Sequence, residues 1–161
     1  MKKILTAVLS FVLITVSIIS VSALDNGNVT RVNDYADLLS DSQETNLREK
    51  LDEISEKNQC DVVILTVDEL DGKSSQAYAD DFYDENGFGF GANYDGILLL
   101  VSMGQRDWAI STCGYGITAF TDAGMDYMVD RFKPDLSDGD YYKAFDTYAD
   151  LCDDFLVQAK T

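Results

Sequence analysis

An unbroken apolar run at positions 97–101, Ile-Leu-Leu-Leu-Val, constrains the fold of this chain more than any other feature. It has the length of a strand, is entered through Asp95-Gly96 and left through Ser102-Met103-Gly104, and shows no polar alternation. That is the pattern of a strand covered on both faces, so it belongs in the interior of a sheet. The next strand-like segment, Trp108-Ala109-Ile110-Ser111-Thr112, follows after a short connection. A connection that short joins antiparallel neighbours and cannot cross over to a parallel one, so the two segments form a hairpin. Asp95 stands at the entrance of its open end, and Gly114 and Gly116 stand at the exit. A carboxylate therefore lies beside flexible backbone at one edge of the sheet, and a site is expected there.

The flanking segments supply the rest of an α/β domain. Residues 60–67, Cys-Asp-Val-Val-Ile-Leu-Thr-Val, form a second buried strand, and a helix at 74–85 separates it from the hairpin. Strand, helix and strand of these lengths make a right-handed crossover, so 60–67 and 97–101 run parallel. Ahead of them, Ser40 and Gln43 form a capping box for a helix reaching about 58, with Leu47, Leu51 and Ile54 in one apolar stripe. Val32, Tyr35, Leu38 and Leu39 let the segment at 32–40 pack on the body while turning. The glycines and phenylalanines of 86–92 either seal the sheet edge or contact a ligand. After the hairpin, Thr121 or Asp122 caps a third helix, with Met125, Met128, Val129 and Phe132 inward, and Pro134 ends it. Ser137-Asp138-Gly139-Asp140 opens a fourth helix to about 158, whose inner face carries Tyr141, Phe145, Tyr148, Cys152 and Phe155. No repeat, linker or second domain interrupts the chain.

The N-terminus reads as a secretory signal over 1–23: Met1-Lys2-Lys3, an apolar stretch at 4–21, then Val21-Ser22-Ala23. An apolar stretch of 18 residues also comes close to spanning a bilayer, so an uncleaved anchor remains open. Both readings place the rest outside the cytoplasm: secreted, or held to a membrane through the N-terminal segment alone. A flexible lead at 24–31 would precede the domain at 32–158. Loss of Lys2 and Lys3 would take the formal charge from −17 to −19. Such a surface repels nucleic acid and anionic lipid and favours cations or basic partners. Cys60, Cys113 and Cys152 contain no C-x-x-C pair; they are either small buried residues or include one bridge, for which Cys113 with Cys152 is the preferred pairing.

The chain contains no histidine. Ser-His-Asp and Cys-His catalysis, histidine phosphotransfer and the common catalytic zinc sites are thereby excluded. Gly114-Tyr115-Gly116-Ile117-Thr118-Ala119 matches a relaxed dinucleotide fingerprint but lacks the parallel strand and acidic residue that should follow. Asp138 and Asp140 stand at a helix start, where carboxylates are favoured as caps. What remains is aspartate, whose oxygens suit hard ions. Asp34, Asp95 and Asp122 adjoin the predicted strand ends. Outside the cell, Ca²⁺ is the expected occupant and Mg²⁺ the alternative.

An ordered set of segments carries a family resemblance. It comprises Val32-Asn33-Asp34-Tyr35-Ala36-Asp37-Leu38-Leu39-Ser40, the strand at 61–67, Asp95-Gly96-Ile97-Leu98-Leu99-Leu100, Arg106 with Gly114-Tyr115-Gly116, Thr121-Asp122, and Gly139-Asp140-Tyr141. In that order and spacing they resemble the TPM domain over about 31–156. Its members include thylakoid-lumen proteins of photosystem II repair, an animal modulator of acetylcholine receptors, and bacterial secreted or membrane-anchored proteins. The resemblance implies a three-layer α/β/α sandwich with a small mixed sheet and divalent-cation binding near the strand ends. For the plant members it also implies acid phosphatase activity. By position it makes Asp34, Asp95 and Asp122 the metal candidates, with Gly114 and Gly116 shaping the adjacent loop.

Two functions follow. One is an extracytoplasmic module that binds Ca²⁺ and an unidentified protein or envelope partner. The other is a metal-dependent acid phosphatase acting on phosphomonoesters, with Arg106 to hold the phosphate or else to serve as a solvated turn residue.

Overall fold

The computed structural model describes residues 30–161, so the segment read as a signal and nearly all of the lead lie outside the described residues. Strand β1 is Val32–Asp34, helix α1 Asp41–Asn58, strand β2 Asp61–Val67 and helix α2 Ser75–Glu85. A 3₁₀ turn at Gly91–Asn93 leads to β3, Gly96–Ser102, and β4, Asp107–Cys113; α3 (Tyr115–Ala119), α4 (Asp122–Asp138) and α5 (Tyr141–Gln158) follow.

The sheet has the order β1-β2-β3-β4. Strands β1, β2 and β3 are mutually parallel, with Asp34 opposite Thr66 and Asp61 opposite Gly96. Strand β4 returns antiparallel beside β3, pairing Gly96 with Cys113 and Ser102 with Asp107. Every residue of β2 and β3 is buried, as an interior strand without polar alternation requires.

Alternation across the pleat sorts these side chains into two layers. Val62, Ile64, Ile97, Leu99 and Val101 meet Leu47 and Leu51 of α1, Met128 and Phe132 of α4, and Phe145 and Tyr148 of α5. Val63, Leu65, Leu98 and Leu100 face Ala79 and Tyr83 of α2. Helices thus cover both faces, and the mixed sheet lies in the middle of an α/β/α sandwich. Each fully buried leucine contributes on the order of 1.5–3 kcal/mol relative to exposure. Edge-to-face rings continue the larger layer outward, Trp108 to Phe132 at 6.3 Å and Phe132 to Tyr148 at 6.1 Å between centroids.

Helix α1 starts as its sequence predicts. The Ser40 side chain accepts from the Gln43 amide, and the Gln43 side chain accepts from the Ser40 amide at 2.9 Å.

Four expectations are corrected. Segment 32–40 contributes a fourth strand, β1, too short to show a period. Pro134 does not end α4; the helix continues through it to Gly139, whose φ of +82° closes it, because Phe132 and Leu136 on either side both pack on the core. The Gly-Tyr-Gly segment winds into the short helix α3. All three cysteines are free thiols. Cys113 packs toward the α2 layer and Cys152 lies in the opposite core, so the sheet separates the pair expected to bridge. Among the described residues, no helix is long and apolar enough to cross a membrane.

Candidate functional site

Parallel pairing gives the sheet two chemically different edges, and the candidate aspartates are divided between them. Asp34 ends β1 at the carboxyl edge, where its carboxylate accepts from the Leu39 amide at 2.8 Å and from the Thr66 hydroxyl. Both oxygens organise the turn into α1. Asp95 precedes β3 at the amino edge, beside Asp61, whose amide donates to the Asp95 carbonyl. Asp34 lies level with Thr66, so five residues of β2 separate the two levels, about 17 Å at strand rise. Asp122 is exposed in the first turn of α4, which Thr121 caps. The fold does not bring the three together, and among the described residues no three acidic or thiol side chains are placed to share a metal ion. A cage built from Asp34, Asp95 and Asp122 does not fit this arrangement.

The amino edge, where the hairpin opens, is internally tied. Oδ1 of Asp95 accepts from the Tyr115 amide at 2.6 Å. A Cβ on Gly114 would stand 2.1 Å from that oxygen, and one on Gly116 would stand 2.1 Å from the Gly96 carbonyl oxygen. Neither position leaves room for a side chain where the chain passes from β4 into α3. Asp61 accepts from Arg31 at 2.9 Å and from the Gly89 amide at 2.6 Å. Burial works against the Arg31 charge, but hydrogen bonds to Asp52 and Asp61 outweigh it and hold the guanidinium above its ordinary value. Burial, with Asp95 and Asp61 nearby, pushes the Cys60 thiol up to about 12. The carboxylates of Asp61 and Asp95 thus both hold structural hydrogen bonds on this edge.

The carboxyl edge is more open. A crevice of about 530 Å³ lies between the β3–β4 turn, the end of α4 and the start of α5. Ser102, Arg106, Asp107, Lys133, Asp138 and Tyr141 are among its lining residues. Open α/β sheets receive ligands at this position, outside the carboxyl ends of parallel strands.

Its cations are distinctive in a chain of formal charge −17. Arg31, Arg48, Lys50, Lys57, Lys73 and Lys143 each pair with a carboxylate. Among the described residues Arg106, Arg131, Lys133 and Lys160 have no such pairing; Arg131 lies over the Tyr127 ring and Lys160 on Asn58, whereas Arg106 and Lys133 line the crevice, with Lys133 Nζ 5.8 Å from the Trp108 ring centroid. Arg106 sits in the hairpin turn at φ +51°, an uncommon conformation for a non-glycine residue. Asp107 is held by the Ser75 hydroxyl at 2.5 Å.

Sequence reasoning singled out Arg106 and treated Asp138 as a capping residue, but it missed Lys133 and Asp107. Lys133 occupies a helical position next to Pro134 and looks like any solvated lysine. Only the crossing of α4 over the sheet edge brings it to Arg106.

A family model described as the TPM domain matches residues 32–155. The UPF0603 protein YdjH of Bacillus subtilis (strain 168) is 28% identical over 120 residues, covering 74% of this chain. The chain spans 45% of that relative's length. Three structures solved by NMR share the fold. The N-terminal domain of a protein from P. gingivalis has a TM-score of 0.68 at 22% identity, covering 81% of this chain and 84% of its own. The N-terminal domain of cg2496 from Corynebacterium glutamicum has a TM-score of 0.62 at 20% identity, covering 78% of each chain. The BA42 protein of the psychrophilic bacterium Bizionia argentinensis has a TM-score of 0.64 at 11% identity, covering 75% and 83%.

Proposed function

Because the chain belongs to the TPM domain family, we propose that it is an extracytoplasmic binding module whose carboxyl-edge crevice takes a phosphate-bearing ligand on a protein or envelope partner. The observation that carries this reading is the convergence of Arg106 and Lys133, neither paired with a carboxylate among the described residues, on one crevice. Two cations with no direct ion-pair partner are free to take an anion, and a guanidinium matches the geometry of phosphate oxygens.

The divalent cation enters at the same place. One or two carboxylates plus a ligand phosphate is the usual way of holding Mg²⁺, and Ca²⁺ also takes oxygen ligands. Asp107 and Asp138 line the crevice and would hold Ca²⁺, or alternatively Mg²⁺, once a phosphate is present. Such an ion would supply the positive charge that lets an anion approach so acidic a protein. Extracytoplasmic placement rests on the Lys-Lys, apolar and small-residue order at 1–23. The second reading, a metal-dependent acid phosphatase, uses the same residues, with the ion polarising the phosphoryl group instead of only neutralising it.

Titration calorimetry of the purified chain with inorganic phosphate, with and without Ca²⁺ or Mg²⁺, tests the proposal. Phosphate should bind more tightly with the ion than without it, and Arg106→Ala should abolish binding while leaving the melting temperature unchanged. At tenfold saturation the ligand should add about 1.4 kcal/mol of stability. Metal-dependent turnover of a phosphomonoester would favour the phosphatase reading. Unchanged phosphate affinity in both Arg106→Ala and Lys133→Ala would overturn both.

A further inference from the structure

Strand β4 is an edge strand without the usual protection. Its pairing with β3 runs through all seven residues without a bulge, and no proline, glycine or lysine lies within it. Edge strands are ordinarily blunted by such features, or by a covering loop, because their outer backbone groups recruit another strand. On the side of β4 away from β3, alternate amides and carbonyls have no backbone or side-chain partner among the described residues.

A cavity of about 560 Å³ runs along this edge. It is walled by the start of α2 at Ser74 and Ser75 and by α4 at Met125 and Val129, with Trp108 and Ile110 as its floor. The two helices cover opposite faces of the sheet, so they bracket the edge and leave a slot between them. Four residues of β4, Asp107 to Ile110, line that slot, about 13 Å of backbone at strand rise. Asp107, Asp122 and Asp126 line it, and no lysine or arginine does.

We propose that this slot binds an extended basic segment of another polypeptide, which adds to the sheet as a fifth strand beside β4. Backbone hydrogen bonds to β4 supply the pairing, side chains at alternate positions on the α4 side meet Trp108, Ile110, Met125 and Val129 with Asp122 and Asp126 beside them, and those on the α2 side meet Asp107. Charge selects this occupant over a second copy of the chain. Edge-to-edge pairing of two copies would bring no cation from β4 to the three aspartates and would join two bodies of formal charge −17. The slot is separate from the phosphate reading, apart from Asp107 and Trp108, which stand between the two cavities.

Trp108 is the only tryptophan in the chain, so its fluorescence reports on the slot directly. The full chain is titrated with a short peptide of alternating lysine and valine. Controls are the glutamate-valine counterpart and a lysine-valine peptide N-methylated at alternate amides. A saturable change in Trp108 emission with the first peptide only, weakened by salt and accompanied by hydrogen-exchange protection of β4 amides, supports the proposal. Asp122→Lys with Asp126→Lys should weaken binding about tenfold, whereas Arg106→Ala should not. Equal binding of the N-methylated peptide, or binding with protection confined to other elements, overturns strand addition. A dimer in sedimentation without peptide would assign the edge to a second copy and overturn it as well.

Discussion

Replacing Gly114 by alanine tests the geometry of the hairpin's open end. Gly114 has φ +55° and ψ −125°, the mirror image of an ordinary extended turn conformation, which L-residues avoid. An added Cβ would stand 2.1 Å from Asp95 Oδ1 and 2.5 Å from the Asn93 carbonyl oxygen, so the Asp95 side chain must move. Backbone strain costs about 1–3 kcal/mol. Losing the charge-assisted bond from the Tyr115 amide costs roughly 1.5–3 kcal/mol. Together they predict a loss of about 2.5–6 kcal/mol, or about 10–20 °C in melting temperature for a domain of this size. Gly72→Ala is the control, because Gly72 has φ +80° but nothing within 4 Å of an added Cβ. It should cost only about 1 kcal/mol. Both are read by calorimetric and urea unfolding of the same chain. If Gly114→Ala costs no more than Gly72→Ala, the close approach to Asp95 is not a constraint, and the account of that edge fails.

Other perturbations probe different parts of the molecule. Phe132→Ala should cost about 3–5 kcal/mol in urea unfolding and alter Trp108 emission, since it opens the core where both rings meet. Arg31→Ala should cost about 2–3 kcal/mol, because it leaves the mostly buried Asp61 carboxylate without its cation; an unchanged urea midpoint would refute that. At pH 8 a thiol reagent should modify Cys113 alone in the native chain, while Cys60 and Cys152 react only after denaturation. The Cys60 thiol is pushed from 9.0 to about 12, so the unfolded chain releases its proton first as pH rises. Stability should therefore decline between about pH 9 and pH 12, and less steeply in Cys60→Ala.

Elements with a strong local signal were legible. The capping box at Ser40 and Gln43, the paired runs of β2 and β3, the hairpin and the stripe of α5 each follow from a period or cap that short-range physics enforces. Strand β1 was not legible, because three residues show no alternation and its pairing is with β2, more than two dozen residues away. Pro134 misled because its intrinsic cost is local while the packing of Phe132 and Leu136 is tertiary. Site residues suffered most. A strand end can point to either edge, and which edge Asp34 or Asp95 occupies depends on parallel pairing across the whole sheet. Arg106 was visible as a turn residue, but its convergence with Lys133 depends on the path of α4 over the sheet, which no local pattern encodes.

Parallel β1 enters the sheet from the same edge to which α5 returns. Thr30 and Arg31 lie beside Asp61, and at the other terminus Lys160 Nζ reaches the Asn58 carbonyl at 3.0 Å, close to the start of β2. Both ends of the domain thus emerge on one side, and the crevice with Arg106 and Lys133 opens on the opposite side. A partner approaching the crevice therefore meets the face of the domain farthest from both described ends.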